Sequence, residues 1–445
     1  MVSIDSTATS TAAGKIPHRR WGIAFLLGFG ILVNYFDRVN LSVSRDALRD
    51  SFGISTVLFG FLLSAYNWPY MLLQLPSGLL LDRFGVRRVG IISTIIWSIA
   101  SFIGAAASGV NMLFGSRFLL GIGEAPTFPG NAKAVGYWFP KSERSLATAM
   151  FDSMAKFSSA IGVPILGLVL IHFGWRWNFA VTGIISLVYF ALFYAFYKNP
   201  SRDVGLSAIE REHILSGGAQ PEDAVRAAAG APLGYLLQQP KVIGLALGYG
   251  SYNYVFYLLL TWLPTYLLDA HHVDLAHSVF YTAVPWLCAT VGELTVGGWL
   301  VDALIQRGWN TTRVRQTILV GGTSLGLGIF GVAYSHSTHA AVFWIALSIT
   351  GLSIAAPVGW SMPGLIAPRE SVGTVGGIMN LSNQIAGIAA PIVTGVIVAS
   401  THSYSAAFLA AAIFLVLGIA SYILLLGNMA PIPEPYAQAS GSVGS

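Results

Sequence analysis

The chain has 445 residues, 54% hydrophobic and only 10% charged, with a mean hydropathy of +0.66. A soluble domain carries about 25% charged residues, so this composition cannot cover a water-facing surface. The net charge of +5 sits largely in short polar loops and reports orientation in a bilayer rather than nucleic-acid binding.

Residues 1–18 are polar and Ser/Thr-rich, and read as a cytoplasmic tail rather than a cleavable signal peptide. About 20 apolar residues span the hydrocarbon layer as a helix. Such windows fall at 20–43, 57–81, 89–108, 111–136, 145–172 and 176–197. A charged stretch holding the helix-like SAIEREHIL follows, and six more windows fall at 240–268, 277–303, 315–335, 339–366, 372–398 and 404–427. The expected fold is all-α and integral to a membrane, with twelve transmembrane helices in two halves, 19–197 and 239–427. A cytoplasmic linker at 198–238 joins them, and a cytoplasmic tail occupies 428–445.

Lys and Arg hold short loops in the cytoplasm. Arg19 and Arg20 precede helix 1; Arg83, Arg87 and Arg88 separate helices 2 and 3; Lys141 and Arg144 separate 4 and 5. Arg307, Arg313 and Arg315 lie between helices 8 and 9, and Arg369 between 10 and 11. The opposite loops SGVN, SHSTH and ASTHSY have none, and Arg45 and Arg49 after helix 1 are offset by Asp46 and Asp50. Both termini are predicted to be cytoplasmic.

The halves echo each other. GLLLDRFGVRR (78–88) closes helix 2 and GWLVDALIQRG (298–308) closes helix 8, while helices 4 and 10 carry Pro126 and Pro129 against Pro357 and Pro363. A repeated six-helix plan is the pattern of a transporter that rocks one half against the other.

Charges inside the apolar windows cost about 2.5–3.5 kcal/mol each and persist by pairing or facing a wet cavity. Asp37 and Arg38 lie in the outer half of helix 1, in VNYFDRVNLSV. On helix 4, Arg117 and Glu124 stand two turns apart on one face, about 10 Å along the axis. Guanidinium groups stay charged and grip carboxylates as a fork, whereas a carboxyl in dry surroundings can exchange a proton in the physiological range. The set therefore suits an anion moved with protons. On helix 5, Asp152 and Lys156 stand at i,i+4, so they either neutralise each other or leave Lys156 as a second cation for a diacid. Glu293, in mid helix 8, is either a third protonatable site or an acid kept neutral.

GLLLDRFGVRR resembles the loop 2–3 signature of the major facilitator superfamily. NYFDRVNLSV, with RFLLGIGEAPTFPGNAK (117–133) and IMNLSNQIAGIAAPIVTG (378–395), resembles the anion:cation symporter family within it. That resemblance covers essentially the whole chain and implies the major facilitator fold. It implies a latch at Asp82, Arg83, Arg87 and Arg88, substrate contact by Arg38, Tyr35, Tyr70, Asn380 and Asn383, and proton coupling by Asp37 and Glu124 with Arg117 linking the two acids.

The nine histidines all fall at helix ends or in loops, so no buried metal or haem site is expected, and no Walker lysine motif is present. The lone Cys288 allows no intrachain disulfide. An enzyme would need a convergent nucleophile or metal cluster. The resemblance implies proton-coupled import of an organic anion, a sugar acid (aldonate, hexuronate or aldarate), by alternating access. No cofactor beyond the proton gradient is expected. The alternative is a facilitator or exchanger for a dicarboxylate such as tartrate, or for an aromatic acid. The expected setting is a bacterial inner membrane, with the chain working as a monomer alongside lipid, protons and substrate and without nucleic acid.

Overall fold

In hydrocarbon no water satisfies backbone N–H and C=O groups, so a spanning segment must bond to itself as a helix or close into a barrel. The computed structural model describes residues 17–435 apart from 141–142, 220–230, 272, 274 and 369–370, and omits the side chains at 75, 82, 144–145, 271, 275–279, 302 and 306. Among the described residues there is no strand.

Eleven helices among the described residues are long and apolar enough to cross a membrane. In the first half these are α1 (Arg19–Val43), α2 (Thr56–Gln74) and α3 (Arg83–Ala105). Next comes α4, which is broken into Val110–Glu124 and Thr127–Trp138, then α5 (Leu146–Phe173) and α6 (Trp175–Phe196). The second half holds α7 (Pro240–Ala270), α8 (Phe280–Ile305) and α9 (Thr311–Ala333), followed by α10 (Thr338–Ile366), α11 (Val372–Thr401) and α12 (Tyr404–Leu426).

The break in α4 falls at Pro126 and Pro129, inside the apolar window 111–136. Pro126 and Pro129 carry no N–H, so the carbonyls of Ile122 and Ala125 lose their i+4 donors. The Gln74 amide of α2 donates to the Ala125 carbonyl at 3.5 Å. Helix runs on from α2 into α3 over Asn67–Ala105, interrupted at Gly85 with φ 78° and ψ 160°. An L side chain is strained there, which is the physical reason for the glycine in DRFGVRR.

Burial separates central helices from lipid-facing ones. In α1 and α7, 78% and 83% of the apolar window is buried, against 33% in α6 and in α9. The lipid-facing helices show large apolar side chains outward, such as Ile413, Phe414 and Leu417 of α12. The first helix of each half thus stands at the interface between the halves.

The bundle end that carries the start of α1 is tied to the linker. Glu210, fully buried on the short helix Ala208–Ser216, accepts from the backbone amides of Arg19 and Arg20 at 3.2 and 3.0 Å and from the Arg20 guanidinium at 3.0 Å. A carboxylate on the first amides of a helix satisfies orphan donors and complements the helix dipole. Arg20 also pairs with Glu143 at 2.7 Å, Glu143 meets His213 at 3.1 Å, and Arg19 pairs with Asp203 at 2.8 Å. Burial alone would raise the Glu143 carboxyl, but hydrogen bonds from Arg20 and His213 outweigh it and hold it below its ordinary value.

At the opposite end the halves close on each other. Arg45 pairs with Asp269 at 2.9 Å, and the Tyr404 hydroxyl donates to the same carboxylate at 2.7 Å. Ser42 donates to the Thr261 carbonyl, and Asn67 to the Gly387 carbonyl at 2.9 Å. Helix α2 meets α11 so closely that a Cβ on Gly60 would sit 2.7 Å from the Pro391 carbonyl oxygen.

Of the expected latch, the Asp82 side chain lies outside the described residues. Arg87 donates to the Tyr194 carbonyl at 2.7 Å, the Arg83 guanidinium stands 5.2 Å from the Phe84 ring, and Arg83 and Arg88 are exposed.

Candidate functional site

Successive residues of a helix diverge by about 100°, so Asp37 and Arg38 leave α1 in different directions. The Asp37 carboxylate points between α3 and α6, where it accepts from Ser101 at 2.6 Å and from Ser186 at 3.4 Å. Arg38 points to the interface between the halves. Its Nη2 and Nε donate to Oε2 of Glu124 at 2.7 and 3.0 Å, and its Nη1 reaches the Tyr257 hydroxyl at 3.5 Å. The rings of Tyr35, Tyr66 and Tyr70 lie 4.4, 4.9 and 5.6 Å from the guanidinium carbon. Each such contact contributes on the order of 0.5–2 kcal/mol when desolvated. Arg38 is 5% exposed and Glu124 0%.

The pairing therefore crosses between the two motifs: Arg38 of α1 holds Glu124 of α4. Oε1 of Glu124 has no hydrogen-bond partner among the described residues. Glu124 closes the last turn before the α4 break, so the backbone flanking it is loosened where its side chain meets Arg38. Arg117 reaches Asp37 through the main chain, its Nη1 donating to the Asp37 carbonyl at 2.6 Å with the guanidinium 5.1 Å from the Phe179 ring. Its Nε and Nη2 have no hydrogen-bond partner among the described residues.

Lys156 is 2% exposed and meets Asp152 at 2.9 Å, the i,i+4 contact expected within α5. It also meets Glu293 of α8 at 3.1 Å, which makes the cluster a triad across the two halves.

A cavity of about 60 Å³ lies among these groups, lined by Tyr35, Arg38, Tyr70, Lys156, Asn380 and Asn383 from the sequence reading. Asp37, Arg117 and Glu124 sit behind that lining rather than in it. The α7 residues Tyr249, Tyr252, Asn253, Phe256 and Tyr257 also line it, with Phe128, Asp152, Trp360 and Gln384. The α7 set was passed over in the sequence, although YGSYNYVFY repeats polar aromatics at the three- and four-residue spacing of one helix face. Asn380 donates to Gln74 at 2.9 Å, whereas Oδ1 of Asn383 and Oε1 of Gln384 accept no hydrogen bond among the described residues. At ~30 Å³ per molecule the cavity has room for about two waters.

The chain matches the Major Facilitator Superfamily over residues 27–391. It is 39% identical to an uncharacterised transporter of Bacillus subtilis, YybO, over 93% of this chain and 95% of that one. It is 33% identical to a probable galactarate/D-glucarate transporter of Escherichia coli, GarP, over 93% and 96%. It is 32% identical to an Escherichia coli D-galactonate transporter over 94% and 98%. A crystal structure of a bacterial homologue of the lysosomal transporter Spinster superposes with a TM-score of 0.68 at 16% identity, covering 92% of this chain and 97% of that one. Eleven described helices long and apolar enough to cross a membrane, the broken α4 beside them, a buried charged cavity between the halves and a family match over residues 27–391 place this chain in the major facilitator superfamily of membrane transporters.

Proposed function

We propose that the protein is a proton-coupled symporter of the anion:cation type that imports a sugar acid by alternating access, with both termini in the cytoplasm of a bacterial cell. The observation that carries this reading is the buried Arg38–Glu124 pair at the edge of the cavity. A permanent cation held by a carboxyl that can accept a proton is a competition device. With Glu124 ionised, its oxygen occupies two N–H groups of Arg38. With Glu124 protonated, the guanidinium fork is released to the incoming anion. Asp37, held by serine hydroxyls beside Arg117, is the second proton carrier, and Arg117 keeps its fixed charge close to both acids.

Recognition of the rest of the substrate falls to hydroxyl and amide groups. Tyr35, Tyr70 and the amides of Asn380, Asn383 and Gln384 converge on the cavity. A polyhydroxy acid supplies the donors that the amide oxygens of Asn383 and Gln384 lack. The relatives named for galactarate, glucarate and galactonate support this class. Rocking of the halves opens the cavity to one side at a time, and the protein works as a monomer.

The test is uptake into proteoliposomes of a panel of sugar acids and dicarboxylates, with and without an imposed pH gradient. Glu124→Gln and Asp37→Asn are expected to abolish proton-driven accumulation, while at least one of them retains counterflow of substrate. Full accumulation in both variants defeats the coupling and leaves a facilitator or exchanger.

A further inference from the structure

Lys156, Asp152 and Glu293 are not used by the mechanism above, and their charges do not balance. Among the described residues, three cations, Arg38, Arg117 and Lys156, and four carboxyls, Asp37, Glu124, Asp152 and Glu293, lie behind and around the cavity. Arg38 pairs with one carboxylate, Glu124, and Arg117 reaches Asp37 through its main-chain carbonyl, but Lys156 meets two carboxylates, and the three members of its cluster are no more than 8% exposed. An uncompensated charge in such surroundings is expensive. The surplus carboxyl is therefore a place where a proton is held.

The two acids are not equivalent. Asp152 lies one turn from Lys156 on α5 and stays beside it however the halves move. Glu293 belongs to the other half, so its contact exists only while α5 and α8 face each other as they do here. Glu293 also opens a π-helical stretch, Glu293–Leu300, within α8. Wide turns of this kind are rare and concentrate at functional positions. Helix α10 presents Thr350 and Ile354 next to the neighbouring Gly292. Among the described residues, the other ionisable groups within electrostatic reach of Glu293 are Tyr249 and Tyr252 of α7.

The cluster opens on the same space as Arg38. Lys156 and Asp152 line the cavity, and the Lys156 ammonium stands 5.9 Å from the Phe256 ring, which in turn lies 6.1 Å from the Tyr35 ring beneath Arg38. The buried amide oxygens of Asn383 and Gln384, which accept no hydrogen bond among the described residues, face this space as well.

We propose that Lys156, Asp152 and Glu293 form a second, proton-gated anion subsite across the two halves, which receives the far acidic group of a sugar diacid. This rests on the symport reading given above and adds the substrate's second charge to it. Ionised Glu293 pairs with Lys156 and bridges the halves. A proton taken up by Glu293 breaks that pair, leaves Asp152 in place, and frees an N–H of Lys156 for the second carboxylate of the substrate. When the diacid leaves, the proton leaves Glu293 and the bridge re-forms.

The decisive measurement is the proton-to-substrate ratio, read from reversal potentials in proteoliposomes loaded with a sugar diacid. Glu293→Gln is expected to lower the ratio by one while counterflow of the diacid remains measurable. Lys156→Gln is expected to reduce counterflow of the diacid at least tenfold more than that of the corresponding monoacid. A wild-type ratio in Glu293→Gln, an equal loss of both substrates in Lys156→Gln, or a wild-type protein that takes up no diacid each overturns the subsite. Where Glu293→Gln does not fold, Glu293→Leu, which likewise holds no proton and leaves the Lys156–Asp152 pair in place, carries the ratio test with the same outcomes. Asp37→Asn and Glu124→Gln, measured in parallel, separate the two levels. Full accumulation in both strikes the symport reading, whereas an altered ratio there beside an unaltered one in Glu293→Gln strikes only the subsite.

Discussion

Neighbouring charges on α1 serve different partners because the helix turns between them, and this sets what substitution at each does. Arg38 presents a planar fork, two arms of which rest on one oxygen of Glu124. A lysine keeps the charge but cannot occupy both positions with fixed geometry. Arg38→Lys is expected to cut counterflow at least tenfold, about 1.4 kcal/mol or more, while the purified protein still folds. Retention within twofold would show that the charge alone suffices. The four ionisable residues of α1 and α4 were legible in the sequence because charge inside an apolar window is expensive. Their pairing was not, since Arg38 and Glu124 meet only through the packing of α1 on α4. The contact from Glu293 to Lys156 was hidden for the same reason, and the tyrosines of α7 because aromatics are ordinary in membrane helices.

At the scale of elements, the windows of apolar residues marked where helices run but not how they end or break. The interruption of α4 follows from two prolines that were visible in the sequence, yet only the structure shows Gln74 reaching one of the freed carbonyls. The linker helix is anchored by Glu210 on the first amides of α1 and by the Arg20–Glu143–His213 chain. Because the Glu143 carboxyl is held below its ordinary value in the folded protein, the stability it contributes is complete above the unfolded carboxylate range and is lost as pH falls below that range through the lowered folded value. Glu143→Gln is expected to lower stability by about 1 kcal/mol near neutrality, with the difference fading below about pH 4. Melting curves of both proteins in detergent across pH 3–8 check this, and a gap that widens in acid would refute it.

Across the whole molecule, the contacts at the end remote from the linker form a ladder between the halves, from Arg45 and Asp269 inward to Gly60 against Pro391 and Asn67 against Gly387. The ladder must part for that end to open. Asp269→Asn removes the charge that both Arg45 and Tyr404 grip. It is expected to raise the labelling rate of a cysteine placed at Ser42 several-fold and to lower thermal stability by about 1 kcal/mol. An unchanged labelling rate would show that the ion pair does not hold this end shut.

The cavity between the halves also ties the working cycle to water activity. A space of about 60 Å³ that must grow to admit a sugar acid has to fill with solvent as it opens, so the open and closed forms differ in the number of waters they hold. Solutes too large to enter withdraw that water and weight the closed form. Turnover is therefore expected to fall log-linearly with the osmolality of a large polymer, the slope counting the waters taken in at each opening, and to be unaffected by a permeant solute such as glycerol at matched viscosity.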